Sequence, residues 1–410
     1  MSVSVSRAAM QLNAAHVNGI RKEPLRRADE LRQMRAPDAE LLQDSIEFVL
    51  AKIDQNLARF GEQFPAPSSV SGVYGLIGNT EWTNGFWTGM LWLAYEVTGE
   101  ARYRLTAERH VASFHCRAKE RIQTDHHDLG FLYTLSCVSS YKLTGNSIAR
   151  EAALEAAGLL LQRYLPAAGI IQAWGDLSDP AQRGRMIIDC NLNLPLLYWA
   201  GEITGDSTFA SAADRHLERA AMHLVRADSS TFHTFYVDAE TGQPIHGKTH
   251  QGHSDDSCWA RGQAWGIYGF SMGYRYLRNS QLLRISERLA NYFVNRLPDD
   301  YICYWDLHFT SGDQPRDSSA AAIASCGLLE LANNLSIIDS ERRLYETAAL
   351  TIIHQLSLGY RTAREQEDGI LRHAVYHLPN NVGVDESCIW GDYFYFEALV
   401  RATRSWNPYW

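Results

Sequence analysis

Two kinds of helical segment alternate along this chain, and that alternation constrains its fold more than any other feature. At 147–164, SIAREAALEAAGLLLQRY, the residues Ile148, Ala152, Ala156, Leu160 and Tyr164 recur every four positions, opposite Arg150, Glu151 and Glu155. A helix patterned this way has one wet face. The same form recurs at 44–60, where Asp44 and Glu47 read as a capping box, and at 101–115, 207–226, 281–297 and 340–358. Between these lie 85–98, 127–143, 191–203, 260–278, 318–335 and 391–404, apolar or small on nearly every face, as in GFWTGMLWLAYEVT and SSAAAIASCGLLELA. Helices of that kind are buried all round. Six outer and six inner helices thus alternate with almost no strand signal, and the last inner helix pairs with the first outer one only if the chain closes into a ring. The expected fold is all-α, an (α/α)6 toroid.

The 410 residues would make two or three domains at the usual ~150 per domain, but a closed barrel runs longer as one. We therefore read 41–410 as one barrel domain and 1–40, mixed in charge and poor in aromatics, as an N-terminal arm that is weakly structured or docked on the surface. An internal repeat supports the ring: three inner helices end in Tyr95-Glu-Val-Thr-Gly99, Tyr141-Lys-Leu-Thr-Gly145 and Gly201-Glu-Ile-Thr-Gly205. Glycine just past the last turn is a helix stop. The next outer helix begins within a few residues of each stop, whereas several returning connections are long, near 165–190, 227–259, 298–317 and 359–390. Long loops in compact domains usually carry function, and in an alternating toroid these all lie at one end.

Composition narrows the partners. The net charge of −9 argues against nucleic acid or an anionic membrane as the main partner, and leaves a small acidic ligand possible. Seven scattered cysteines without a C-x-x-C pair read as reduced, mostly buried thiols. No secretory h-region and no apolar run of about 18 residues is present, so the expected location is the cytoplasm.

Each inner helix is opened by a polar and aromatic cluster: WTNGFW at 82–87, HHDLGF at 126–131, IIDCNLN at 187–193, SDDSCWARGQAW at 254–265, RDSSA at 316–320 and ESCIWGDYF at 386–394. One such cluster is commonly a helix cap, but six aimed into one mouth point to a site. The carboxylates at these starts are Asp128, Asp189, Asp255, Asp256, Asp317 and Asp392, and some of them must be caps. Asp189 follows Met186-Ile187-Ile188 and precedes an apolar helix, surroundings that should desolvate it and raise its pKa toward that of a working acid. Asp128, beside His126 and His127, reads either as a second carboxylate for proton transfer or sugar binding, or as a cap. His250 and His253 add to the histidines, but no H-E-x-x-H or regular Cys/His spacing occurs, so no metal is expected. Gly75 to Gly78 lacks the glycine spacing and lysine of a phosphate loop, so no cofactor is implied. Arg261, four residues before Trp265, reads either as a carboxylate holder beside a stacking ring or as a surface ion pair. Eleven tryptophans and twenty tyrosines suit a sugar-stacking cleft and equally a toroid core.

At these same segments the chain resembles the unsaturated glucuronyl hydrolases, glycoside hydrolase family 88. The matching stretches are WTNGFWTGMLWLAYEVTG, HHDLGFLY, IIDCNLNLPLLYWA, HQGHSDDSCWARGQAWGIYGF, RDSSAAAIASCGLLEL and GVDESCIWGDYFYFEALVRA, covering roughly residues 80 to 404. The resemblance implies an (α/α)6 barrel. It also implies a hydrolase acting on oligosaccharides left by polysaccharide lyases, whose terminal uronate carries a C4=C5 double bond. In that family an aspartate at the position of Asp189 protonates C4 and helps water add to C5, and the hemiketal so formed opens and releases the sugar. Asp128 falls where a second essential aspartate binds ring hydroxyls and helps keep the acid in its working state.

By the same matching, Trp82 and Trp265 would stack on the sugars, while His233, Gln251 and Arg261 would contact the uronate and the reacting water, with His127 in the same shell. Members that accept sulfated sugars carry serines and a lysine just before Gly-Val-Asp-Glu, where this chain reads His377-Leu-Pro-Asn-Asn-Val382. That departure favours unsulfated glycosaminoglycan or bacterial polysaccharide fragments. Three other readings stay open: an unsaturated rhamnogalacturonyl hydrolase on pectin fragments, ordinary inverting hydrolysis by Asp128 and Asp189, and a non-catalytic binder of acidic sugars.

Overall fold

The computed structural model describes residue 12, residues 14–363 and residues 366–410. Residues 1–11 and 13 of the arm, and 364–365 of the loop at 359–390, lie outside the described residues. The arm holds two short helices, α1 (Ala14–Gly19) and α2 (Ala28–Gln33). Outer and inner helices then alternate: α3 (Ala39–Phe60) and α4 (Asn84–Thr98), then α5 (Ala101–Lys119) and a composite inner helix of α6 (Leu129–Tyr133) and α7 (Ser139–Thr144) joined by a π-turn, Thr134–Val138. Next come α8 (Ser147–Gln162) and α9 (Pro195–Thr204), and α10 (Ser207–His223) and α11 (Ala260–Leu277). The last two pairs are α12 (Ser280–Val294) with α13 (Ser318–Asn334), and α14 (Arg342–Gln355) with α15 (Ile389–Thr403). α15 packs on both α3 and α4, so the ring of inner helices is closed. The expected (α/α)6 barrel is the fold.

The glycine stops work as their sequence suggests. Gly99, Gly145 and Gly205 adopt φ of 74°, 71° and 76°, and their N–H groups donate to the carbonyls of Tyr95, Tyr141 and Gly201 at 2.7, 2.9 and 2.9 Å. The expected capping box at Asp44 does not form. α3 begins earlier, where the Asp38 carboxylate accepts from the Leu41 N–H at 2.8 Å. Asp44 then faces outward within the helix and pairs with Arg361. An aspartate directly after Pro37 reaches the free N–H groups first, so the later candidate has no orphan donor left to cap.

The outer-to-inner connections carry short strands that the sequence pattern did not show: three are only two or three residues long, and the longest, FPAPSSV, holds two prolines and no regular alternation. β1 (Phe64–Val70) and β2 (Val73–Ile77) form a hairpin before α4, and β3 (Tyr164–Leu165) pairs with β4 (Ile170–Ile171). β5 (Arg185–Ile187), β6 (Thr234–Val237) and β7 (Pro244–Lys248) make one antiparallel sheet. β8 (Ala374–His377) and β9 (Val382–Glu386) form the hairpin before α15. These hairpins build the rim at which the inner helices start.

Deeper in the barrel, aromatic rings fill the axis. Trp265 and Phe131 have ring centroids 5.2 Å apart, and Phe394 stacks on Trp410 at 6.0 Å with an interplanar angle of 7°. The Trp410 indole N–H donates to the buried Glu397 at 2.9 Å. Around the outside, the arm lies against α12 and α14: Leu12, Val17, Ile20, Leu25 and Leu31 are buried, Asn291 donates to the Glu23 carbonyl at 2.7 Å, and Arg296 pairs with Glu23. No helix among the described residues is long and apolar enough to cross a membrane. All seven cysteines are free, and only Cys116 is exposed.

Candidate active site

The floor of the rim is set by one close contact, between the start of α6 and the segment leading into α9. A Cβ on Gly130 would come within 2.2 Å of the Asn193 Cα, and the Asn193 side chain accepts from the Phe131 N–H at 2.8 Å. This contact fixes the start of α6 against the start of α9, and with them the two aspartates those segments carry. Asp128 sits at the N-cap position of α6 but its side chain caps nothing, which leaves its carboxylate for the cavity. Asp189 stands on a 3₁₀ turn, Ile188–Leu192, that continues from β5, rather than at a helix start as its sequence suggests.

A cavity of about 140 Å³ opens here, lined by Trp82, His127, Asp128, Trp174, Ile187, Asp189, His233, His250, Gln251, Trp259, Arg261, Trp265 and Tyr376. All eight residues singled out from sequence are therefore brought together. Trp82 and Asp128 also line an adjoining cleft of about 620 Å³ with Thr80, Glu81, Ile122, Gln123 and His126.

The electrostatics turn on the two carboxylates and the histidine between them. His127 Nε2 lies 3.4 Å from Asp128 Oδ1 and 3.6 Å from Asp189 Oδ1. Burial pushes the His127 ring down to about 4, so it is neutral at ordinary pH. Burial, followed by the charge of Asp128, raises Asp189 well above the usual carboxylate range. Asp189 Oδ1 is buried without a hydrogen-bond donor, and the backbone N–H groups of Asp189 and Cys190 and the charge of Arg261 only partly offset the burial. Burial acts on Asp128 in the same sense, but His127 and His126 outweigh it and lower its pKa. The pair is thus pushed apart, Asp128 toward its charged form and Asp189 toward its protonated one. His127 Nε2 and one oxygen from each aspartate lie within 4.8 Å of one another, a spacing at which they could also hold a cation.

The other polar groups are oriented by backbone and by one another. His233 Nδ1 accepts from the N–H groups of His250 and Gln251 at 3.0 and 3.3 Å, which places the ring proton on Nε2. Arg261 is buried rather than on the surface. Its Nη1 donates to Asp317 Oδ2 at 3.0 Å, and its Nη2 donates to Gln251 Oε1 at 2.6 Å and to the Tyr376 carbonyl at 2.7 Å. With its oxygen held, the Gln251 amide group is left to donate. Of the other candidate carboxylates, Asp317 caps α13 through the N–H groups of Ser319 and Ala320, and Asp392 accepts from Ile370, Leu371 and Tyr74. Asp255 accepts from the Thr249 N–H. None of these three lines the cavity.

The rings form two walls. The Trp82 indole donates to the Tyr376 hydroxyl at 3.1 Å and packs on Trp390, while Trp265 is buried at the bottom. Trp174, Trp259 and Tyr376 went unnoticed as site residues in the sequence, and His250 drew notice only as a metal candidate. Trp174 and Tyr376 lie on long connections where aromatic residues alone mark no position. A single signal pointed at Trp259, its place in SDDSCWARGQAW beside Arg261.

Known proteins share this arrangement of fold and sequence. The model of Glycosyl Hydrolase Family 88 matches residues 62–341. The unsaturated chondroitin disaccharide hydrolase of Streptococcus pneumoniae is 47% identical over 368 residues, 89% of this chain and 93% of that protein. The unsaturated glucuronyl hydrolase of Bacillus sp. (strain GL1) is 47% identical over 370 residues, 90% of this chain and 98% of that one. The crystal structure of the unsaturated glucuronyl hydrolase from Streptococcus agalactiae superposes with a TM-score of 0.93 at 44% identity, covering 95% of this chain and 99% of that chain. With an aromatic-walled cavity at the rim of an (α/α)6 barrel and this agreement over most of its length, the chain belongs to glycoside hydrolase family 88.

Proposed function

We propose that this glycoside hydrolase removes the 4,5-unsaturated glucuronyl residue from the non-reducing end of lyase-generated oligosaccharides. The observation that carries the reading is the split pair, a protonated Asp189 and a charged Asp128 across one neutral imidazole at the bottom of an aromatic cavity. A vinyl ether asks for that pair. Asp189 gives its proton to C4, positive charge develops at C5, and water adds there while losing a proton to the Asp189 carboxylate. The resulting hemiketal opens the ring to a C5 ketone, and the hemiacetal exposed at C1 collapses to an aldehyde and the freed sugar. Asp128 binds ring hydroxyls and, by its charge, keeps the proton on Asp189 between turnovers. His233 and Gln251 supply the N–H donors for the uronate and the water. Arg261, with its guanidinium committed to Asp317, Gln251 and the Tyr376 carbonyl, acts by holding Gln251 in place. Trp82 and Trp265 supply the ring faces.

The named relatives point to glucuronyl and chondroitin disaccharides rather than pectin fragments. Inverting hydrolysis asks for carboxyl groups ~6.5–9.5 Å apart with a water between them, whereas oxygens of Asp128 and Asp189 approach within 4.8 Å. The seven free thiols suit the reducing cytoplasm, where we place the reaction.

The experiment is to incubate the protein with an unsulfated unsaturated chondroitin disaccharide, follow the ultraviolet absorbance of its conjugated double bond, and run Asp189→Asn and a saturated glucuronide alongside. Absorbance should fall with the native protein only, and the saturated sugar should survive. Cleavage of the saturated sugar would overturn the reading, since it requires attack at the anomeric carbon. Sugar binding without any turnover would mark a binder instead.

A further inference from the structure

The proposed reaction uses the cavity, yet the β5–β6–β7 sheet that contributes its lining residue Ile187 carries, just outside the lining, cations that the reaction leaves idle. β5 runs from Arg185 to Ile187 and leads directly into the turn bearing Asp189. Its register places Ile187 opposite Thr234 and Thr234 opposite Lys248, with Arg185 opposite Tyr236 and Tyr236 opposite His246 in the next row. Side chains two residues apart share a face, so the cavity-lining Ile187 identifies this face as the one turned to the substrate. The Arg185 row stands about 7 Å farther toward the rim at ~3.3 Å per residue. That is the direction in which a sugar chain leaving the bottom of the cavity would run.

Arg185 is built into this wall. Its guanidinium stacks 4.4 Å over the Trp174 ring and 5.3 Å over Tyr236, and Nε donates to the Tyr236 hydroxyl at 3.0 Å. Nη1 donates to the Trp174 carbonyl at 3.4 Å. Lys248 is exposed at the end of β7. Neither Arg185 nor Lys248 has a carboxylate partner among the described residues. Both lie close to His250, which burial and these two cations, with a smaller contribution from His377, hold below its usual range against the opposing charge of Asp255. The adjoining cleft is edged by Glu81 and Asp128, so an anionic sugar is repelled there and drawn to the β5–β6–β7 wall.

We propose that Arg185 and Lys248 bind an anionic substituent of the sugar chain beyond the cleaved uronate, either a sulfate ester on the second ring or the carboxylate of a third. The proposal rests on the glucuronyl-hydrolase reading. It makes this wall the determinant of which anionic fragments the enzyme prefers.

The test compares kcat/KM for unsulfated, 4-sulfated and 6-sulfated unsaturated chondroitin disaccharides and an unsulfated hyaluronan tetrasaccharide, in native protein, Lys248→Gln and Arg185→Gln/Lys248→Gln. The quantity read is the preference for each anionic fragment over the unsulfated disaccharide. Lys248→Gln should lower that preference about tenfold, mainly through KM and more at low salt, and the double variant should lower it further. Loss confined to the sulfated disaccharides identifies a sulfate as the ligand, and loss confined to the tetrasaccharide identifies the third-ring carboxylate. Because Lys248 is exposed, its substitution should leave the fold intact even if that of Arg185 disturbs Trp174. An unchanged preference in Lys248→Gln for every anionic fragment overturns the proposal. Calorimetric titration of the same sugars into Asp189→Asn with and without Lys248→Gln makes the same comparison without turnover, so an inactive native protein would sink the functional reading while still deciding the anion site.

Discussion

Asp128, at the start of α6, and Asp189, on the 3₁₀ turn that follows β5, meet at one nitrogen, His127 Nε2, which is 3.4 Å from the first and 3.6 Å from the second. A neutral imidazole has one proton to offer there, so it can steady only one negative charge at a time. The ring lies nearer to Asp128, and the facing oxygen of Asp189 is buried without a hydrogen-bond donor. Together with burial, this asymmetry pushes the proton toward Asp189.

Replacing Asp189 by Asn mimics the protonated acid in shape and removes its chemistry. Turnover should fall about 10²- to 10⁴-fold, the usual range for a general acid/base. Stability should move the other way. A carboxyl whose folded pKa is raised loses stability as pH climbs from its unfolded value of about 3.9 through the folded one. Asn has no such loss, so the variant's melting temperature should match the native protein's near pH 4 and exceed it increasingly toward neutrality. A lower melting temperature at neutral pH would contradict the burial of a protonated Asp189.

Removing the charge at Asp128 should be felt by its neighbour. Part of the rise in Asp189 comes from that charge, so in Asp128→Asn the Asp189 pKa falls. The residual activity should show its alkaline limb displaced to lower pH in a profile of kcat/KM. An unmoved limb would mean that Asp128 serves sugar binding alone.

Asp317 offers a separation of two roles in one side chain. Oδ1 caps α13, and Oδ2 neutralises the buried Arg261. Asp317→Asn keeps an oxygen for the cap but leaves the guanidinium unpaired, which should cost about 3–5 kcal/mol in a urea denaturation series. A loss below about 1 kcal/mol would show that the carbonyls of Val375 and Tyr376 suffice to hold Arg261.

Much of this architecture was legible because helices declare themselves over many residues. The wet stripe of 147–164 and the stop at Gly145 were enough to place α8 and the turn before it, and both are where the sequence put them. The aspartates were legible as chemistry through their neighbours, Met186-Ile187-Ile188 for one and the paired histidines for the other. What the sequence hid depends on pairing across distance. Arg261 looked like half of a surface ion pair because Asp317 lies 56 positions away, and Tyr376 becomes a cavity wall only when β8 returns against α11. The three residues of β5 are too few to show a strand's alternation, so the face that Arg185 shares with Ile187 had no trace in the pattern.

Gly130 tests the contact that holds the two aspartates in register. Gly130→Ala would drive a methyl into the backbone of Asn193, and overpacking of that kind costs about 1–3 kcal/mol or more. Because the strain falls between the segments bearing Asp128 and Asp189, activity should drop by about 10²-fold even in the fraction that stays folded. Full activity in a folded Gly130→Ala would mean that the helices slide apart without disturbing the pair.

Beneath Trp265 the axis is stopped by Phe131, Phe394 and Trp410, one ring behind another. The barrel is therefore a blind well and not a tunnel. Nothing can be threaded through it, and a polymer can present only its tip. Only that tip carries the double bond, so each chain gives up one uronate and must back out before the next can enter. In a time course on a long substrate, every chain should lose its unsaturated terminal residue and nothing further.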